Sequence, residues 1–337
     1  MRSPLRPSPD RPVHRISGPV ELLDAVPYLL GFHPHDSLVL IGLREKRLVV
    51  TARIDLADAG EAEGIGPAVR AMARGGAATV VLAAYPSEDD DGLERWRSFA
   101  AAARRQVGRA GCELGDALLV RDGRWWSLTC EKPECCPPEG RVRGPVSSPF
   151  AAQATFEGVV PLPDRAAVEA QFDPLPDAVR DRLDPLIALE ERAAVRDVLR
   201  GQGMRRERSL KRALFAAARS ASAPPDVRLS DEEAVRFGVG LSVTSLRDAV
   251  WLAIDGGRLD GRPLWRELGR RLPAPYDAPP LFLYGWAAWR AGEGAQAGMA
   301  AERAVRSDPG YTAADLLMAA VTSGLSPHTV PRLRKPA

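Results

Sequence analysis

The apolar pattern of this chain changes character once, and that change limits its fold more than any other feature. Before residue 146, short β-branched runs alternate with helical stretches. From Pro149 onward the pattern is helical almost throughout, broken at Pro161-Leu162-Pro163, Phe172 to Pro176, Ser220 to Pro225 and Pro273 to Pro280. A chain patterned this way is expected to fold as an α/β part followed by an all-α part. The expected division is a disordered tail over 1–14, rich in Pro, Arg and Ser; an α/β domain over 15–146; a helical domain over 147–326; and a disordered tail over 327–337.

Within the first part, Gly18-Pro19-Val20-Glu21 opens a helix that Gly31 is suited to close, and Pro27 is expected to kink or split it. Leu38 to Leu43 (LVLIGL) and Arg47 to Ile54 (RLVVTARI) flank Arg44-Glu45-Lys46, the pattern of an antiparallel hairpin. A helix around Glu63 to Ala73, a strand Thr79 to Ala84, a helix around Leu93 to Val107 and a strand ending near Arg121 come next. Strand, helix, strand, helix, strand implies right-handed crossovers and three parallel strands in one sheet. Asp122-Gly123 is a favoured two-residue turn, which sets Arg121 opposite Arg124, Leu119 opposite Trp126 and Ala117 opposite Leu128. Alternation then puts Leu119, Trp126, Leu128 and Cys130 on a core-facing side, and Val120, Trp125, Ser127 and Thr129 on the other. The fold class is an α/β N-terminal domain, whose mixed sheet has antiparallel edge strands and a parallel centre, plus an all-α C-terminal domain with repeat-like helical hairpins.

The repeat-like character rests on Leu281, Tyr284-Gly285, Ala288, Ala297, Ala301 and Pro309, which occupy the spacings of one tetratricopeptide-type repeat. Leu281 replaces the usual Trp, Ala288 and Ala301 replace aromatics, and no upstream copy stands out. An unrelated helical hairpin fits the same residues.

Three of the four cysteines, Cys130, Cys135 and Cys136, fall within seven residues. Tetrahedral zinc usually takes about four ligands as spaced pairs, whereas Cys-x4-Cys-Cys places two side by side. A redox or structural role is therefore expected, with Zn2+ or another divalent metal as the alternative and no cofactor predicted. Cys112 falls on the opposite face from Cys130 unless a bulge near Gly115 resets the register.

The other concentration of chemistry is Gly31-Phe32-His33-Pro34-His35-Asp36-Ser37. If the first strand runs against the second, its start shares a sheet edge with Asp55 and with the carboxyl ends of the later strands. His33, His35, Asp36, Asp55 and Asp89 would gather there, where open α/β sheets bind ligands. The plainer alternative is that these residues cap turns or stay solvated. The antiparallel return of the last strand carries Cys130 to the opposite edge. After Met204, Arg205 to Arg212 holds five basic residues in eight, of which Arg205, Arg208 and Arg212 line one helical side; a solvated face is the expectation.

Lys+Arg 46 against Asp+Glu 44 leaves a net charge of +2, so no global field draws the chain to nucleic acid. No apolar run reaches the roughly 18 residues of a membrane helix. The expectation is a cytoplasmic protein. Gly64-Ile65-Gly66, Gly75-Gly76 and Gly238-Val239-Gly240-Leu241-Ser242 match neither a phosphate-binding loop nor a nucleophile elbow.

Pro27 to Leu43 (PYLLGFHPHDSLVLIGL), Arg124 to Gly140 (RWWSLTCEKPECCPPEG) and Ala287 to Leu317 (AAWRAGEGAQAGMAAERAVRSDPGYTAADLL) together resemble the family catalogued as domain of unknown function 4192. The resemblance spans nearly the whole ordered chain and implies one intact protein type. It implies no activity, cofactor or catalytic residue. The functional expectation is a non-enzymatic binding or adaptor protein that engages a protein partner through its helical domain, with no nucleic acid, no membrane and an open oligomeric state. The alternative is a metal-assisted hydrolase using His33, His35, Asp36 and Asp55.

Overall fold

The computed structural model describes residues 16, 18–87, 92–144, 148–221, 227, 229–327 and 329–333. The described residues of Pro4–Ala167 and Thr322–Thr329 form one compact unit, and those of Val168–Val321 and Val330–Ala337 form another.

The first unit is built on a six-stranded sheet of β1 (Ser37–Arg44), β2 (Arg47–Asp55), β3 (Thr79–Tyr85), β4 (Glu113–Arg121), β5 (Arg124–Ser127) and β6 (Arg141–Val142), in the order β2-β1-β3-β4-β5-β6. β1 is antiparallel to both β2 and β3, β3 is parallel to β4, and β5 and β6 continue antiparallel. β2, β3 and β4 thus run in one direction, as the sequence implies. Because β1 inserts between β2 and β3, however, β3 and β4 are the parallel pair among the six described strands. The helices of this part are α1 (Pro19–Leu30), α2 (Leu56–Ala59), α3 (Gly66–Arg74), α4 (Leu93–Arg109) and α5 (Pro149–Phe156). The helix expected from Glu63 begins instead as a 3-10 turn, Glu63–Ile65, before Gly66 and Pro67 open α3.

α1 runs unbroken through Pro27 and closes at Gly31, whose φ of 85° is the left-handed conformation glycine adopts without penalty. The expected split does not occur. Proline lacks the N–H that would bond the carbonyl four residues back, and that carbonyl, Leu23 O, accepts Arg143 Nη2 at 3.1 Å instead.

The β4–β5 hairpin has the pairing expected of its turn: Asp122 and Gly123 sit at φ 51° and 68°, and Leu119 faces Trp126. Between Val80↔Leu114 and Val81↔Asp116 the β3–β4 register slips by one, leaving Gly115 unpaired. A Cβ at Gly115 would stand 2.7 Å from the Thr79 methyl, which accounts for glycine in this bulge. The bulge resets the alternation, so Cys112 and Leu114 join Ala117 and Leu119 in the core formed with Val69 and Met72 of α3 and Trp96, Ala100 and Val107 of α4. Cys112 is buried there, 3.3 Å from the Ala77 carbonyl.

α6 (Arg165–Glu169) crosses the division between the units along the chain, and the second unit carries α7 (Asp177–Arg180), α8 (Asp184–Leu199), α9 (Gly203–Ser220), α10 (Asp231–Leu241), α11 (Thr244–Asp255), α12 (Arg262–Arg271), α13 (Ala278–Arg290), α14 (Gly294–Ser307) and α15 (Thr312–Thr322). α10 starts with a reciprocal cap between Ser230 and Glu233. α13 is apolar all round and buried from Ala278 to Trp289, so it is the central helix of this unit. Gly285 lets its neighbours approach: a Cβ there would meet Leu317 at 2.8 Å and the Ala297 carbonyl at 3.2 Å. Asp255, at the end of α11, is fully buried; it accepts Arg290 Nε at 2.6 Å, Trp286 Nε1 at 3.0 Å and the Leu333 amide at 2.6 Å. Leu333 belongs to the stretch read from the sequence as a tail. Among the described residues no single helix is long and apolar enough to cross a membrane.

Candidate functional site

Two rims of the sheet hold reactive side chains, and chain direction decides which residues reach each. The first rim carries the carboxyl ends of β3 and β4. β1 starts beside it, because Ser37 pairs with Tyr85. The segment leading into β1 is fixed by its backbone: His33 N donates to Leu162 O at 3.0 Å and Leu162 N to Gly31 O at 2.9 Å, with Phe32 buried between. His33 and His35 are thereby held at the mouth of an open cleft of about 340 Å³, which is also lined by Pro27, Tyr85, Arg121 and Arg143.

Partial burial, then the Arg143 guanidinium, then His35 hold the His33 imidazole below its ordinary value of 6.5. Asp24 is buried, with Oδ1 3.6 Å from the Arg143 guanidinium that lines the cleft. The Tyr85 hydroxyl is buried with no hydrogen-bond partner among the described residues. Burial pushes its phenol well above the ordinary value of 10.0.

The carboxylates expected beside the histidines are placed differently. Asp55 is ion-paired with Arg53 at 2.5 Å and with Arg165 at 3.6 Å, and does not line the cleft. Asp36 is exposed at φ 44° and its carbonyl accepts the Leu56 amide at 3.0 Å. Asp89 lies outside the described residues. Sequence reasoning misses Tyr85 and Arg143. Tyr85 is marked only by its place as the last residue of a parallel strand; Arg143 carries no local signal.

The second rim lies at the other end of β4 and β5. β5 ends at Ser127, and Asp116, next to the bulge residue, gathers the polar groups of this end: its Oδ1 accepts Ser127 Oγ at 2.7 Å, Thr129 Oγ1 at 2.6 Å and the Ala117 amide at 2.8 Å. The chain leaves the strand there, so Cys130 is half-buried beyond the strand end and not in the core, where alternation alone would put it. In the turn after it, the amides of Cys135 and Cys136 both donate to Lys132 O, at 3.2 and 2.8 Å. The turn folds the vicinal pair back toward Cys130. Cys130 Sγ and Cys135 Sγ are 3.1 Å apart, and all three sulfurs lie within 4.8 Å of one another, each as a free thiol.

The loop then returns to β5, where Trp126 Nε1 donates to Pro138 O at 3.0 Å and Arg124 Nη1 to Gly140 O at 3.1 Å. Hydrogen bonds from Cys135, from the Lys132 backbone and from Cys136 hold the Cys130 thiol below its ordinary value, whereas burial first and the neighbouring sulfurs second push Cys136 up to about 12. Such a set of thiols can form a disulfide or hold a thiophilic metal.

A third feature belongs to the helical unit. Val195, Val198 and Leu199 of α8 and Met204 of α9 are between 60% and 82% exposed. Arg192, Arg196, Arg200 and Arg205, all exposed, neighbour them along the chain and outnumber the exposed Glu191 and half-buried Asp197 of the same stretch. Arg206, by contrast, is turned inward onto Glu190 and, at 2.8 Å, Asp197, which braces the bend between the two helices.

No curated protein and no solved structure matches the chain. A family model described as "Domain of unknown function (DUF4192)" matches residues 19–328, which covers both units. By that match the chain belongs to the DUF4192 family.

Proposed function

We propose that the protein is a non-enzymatic, cytoplasmic binding protein that docks an acidic, amphipathic polypeptide segment on the α8–α9 bend. The exposed apolar face of Val195, Val198, Leu199 and Met204 carries this reading. Apolar side chains clustered on a surface and rimmed by charge favour association, because burying them removes apolar area from water. The arginine rim selects acidic partners and raises the encounter rate. The test pairs Val195→Glu with Leu199→Gln. Both variants are expected to keep the unfolding midpoint of the parent and to lose capture of a polypeptide that an acidic amphipathic peptide competes away; unchanged capture would argue against this face.

One observation favours a second reading, a small ligand at the first rim: the open cleft there is lined by two imidazoles and by the Arg121 and Arg143 guanidiniums. A ligand with an anionic, hydrogen-bond-accepting group suits such a lining. The hydrolase version using His33, His35, Asp36 and Asp55 draws less support, since the Asp55 carboxylate is held by two arginines away from the cleft.

A further inference from the structure

The geometry of the second rim points to a metal site that is independent of the polypeptide-docking face. We propose that Cys130, Cys135 and Cys136 bind Zn2+ as a three-thiolate site with one exchangeable ligand in the fourth position.

The first observation is number: a disulfide uses two sulfurs and leaves the third without a role, whereas a metal uses all three. The second is spacing. Tetrahedral zinc, with Zn–S of about 2.3 Å, needs sulfurs about 3.8 Å apart. Cys130 Sγ and Cys135 Sγ are 3.1 Å apart and no pair of the three exceeds 4.8 Å, so the sulfurs already stand near that spacing. The third is preorganisation. Asp116 pins the chain at Ser127 and Thr129, Lys132 O holds the amides of both vicinal cysteines, and Trp126 and Arg124 hold the returning strand. The loop therefore need not be ordered by the ion.

Charge acts in the same direction. Between Cys130 and Gly140 the exposed Glu131, Glu134 and Glu139 outnumber Lys132, so the loop carries a net negative charge that favours a cation. Among the described residues no fourth cysteine, histidine or carboxylate completes the set within the same radius. The fourth position falls to water or to a donor from a bound molecule, as at zinc sites that exchange ligands. Softness excludes Mg2+ and Ca2+, which prefer oxygen.

The test uses full-length protein, reduced and desalted without oxygen, titrated with Zn2+ against a chromophoric chelator. Co2+ is titrated in parallel to report thiolate-to-metal charge transfer. The expected result is about one ion per chain, a thiolate charge-transfer band with Co2+, and a loss of affinity of at least about tenfold in each of Cys130→Ser, Cys135→Ser and Cys136→Ser. Cys112→Ala, in the core away from the cluster, is the control expected to bind as the parent does. Binding that survives all three serine substitutions, a Co2+ complex without the thiolate band, or no binding by the reduced parent protein would each overturn the assignment. Far-ultraviolet circular dichroism confirms that the serine variants, altered only in a surface loop, remain folded.

Discussion

Arg143 donates to the Leu23 carbonyl at 3.1 Å, the acceptor that Pro27 leaves open within α1, and the same guanidinium faces the buried Asp24 at 3.6 Å. One side chain thus completes a helix interrupted by proline, neutralises a buried carboxylate and lines the cleft with His33. Arg143→Met is expected to lower stability by about 3 kcal/mol in urea unfolding, because it strands a buried charge and a buried carbonyl together. Adding Pro27→Ala should recover part of that loss, since the new amide can bond Leu23 O; strictly additive effects in the double-mutant cycle would contradict the coupling.

Gly140 holds φ at 76°, and a Cβ there would lie 2.4 Å from the Trp126 ring. Gly140→Ala should therefore cost about 2 kcal/mol through backbone strain and displacement of the indole. Thermal unfolding, together with the change in tryptophan emission, measures both effects. An alanine variant as stable as the parent would show that the loop is not anchored this way.

In the helical unit, Asp255→Ala removes the acceptor shared by Arg290, Trp286 and the Leu333 amide. The cost expected is about 3 to 5 kcal/mol, because the arginine is left without its buried partner. Hydrogen exchange should show the Leu333 amide losing protection at the same time. Retained protection would mean that other contacts hold that segment.

The strand patterns and the turn were legible because their causes are local. Asp-Gly tolerates two successive left-handed residues, and that alone fixes Leu119 opposite Trp126. The four helical breaks expected after residue 149 were legible for the same reason, since proline and glycine punctuate them; the 3-10 turn Asp181–Leu183 that separates α7 from α8 was not. Neighbour order was not: nothing in LVLIGL states that β1 will pair with β3 as well as with β2. The bulge at Gly115 depends on a methyl of Thr79 in another strand, and it moved Cys112 onto the core face. The convergence of the thiols was hidden because spacing along the chain does not reveal the turn around Lys132. Arg143 reaches its site from a distant segment, so no motif marks it.

His33 supplies a pH prediction whose sign is set by its lowered pKa. The folded state binds the proton less readily than the unfolded chain, so the His33 contribution to stability is intact above about 6.5 and is lost as pH falls from there through the folded value. A histidine NMR titration should place His33 below 6.5, and Arg143→Met should move it part of the way back, since burial is the larger cause and remains. A titration at or above 6.5 in the parent protein would contradict this electrostatic description of the cleft.

Site-specific photo-crosslinking in living cells tests the docking face on α8 most directly. A photoreactive residue at Val195 is compared with one at Val160, which is exposed to 71% in the sheet-containing unit. A reproducible adduct with another polypeptide is expected from position 195 and none from 160, with the contact residues on the partner drawn from an acidic amphipathic segment. No adduct from position 195, or adducts only between two copies of this chain, would contradict it.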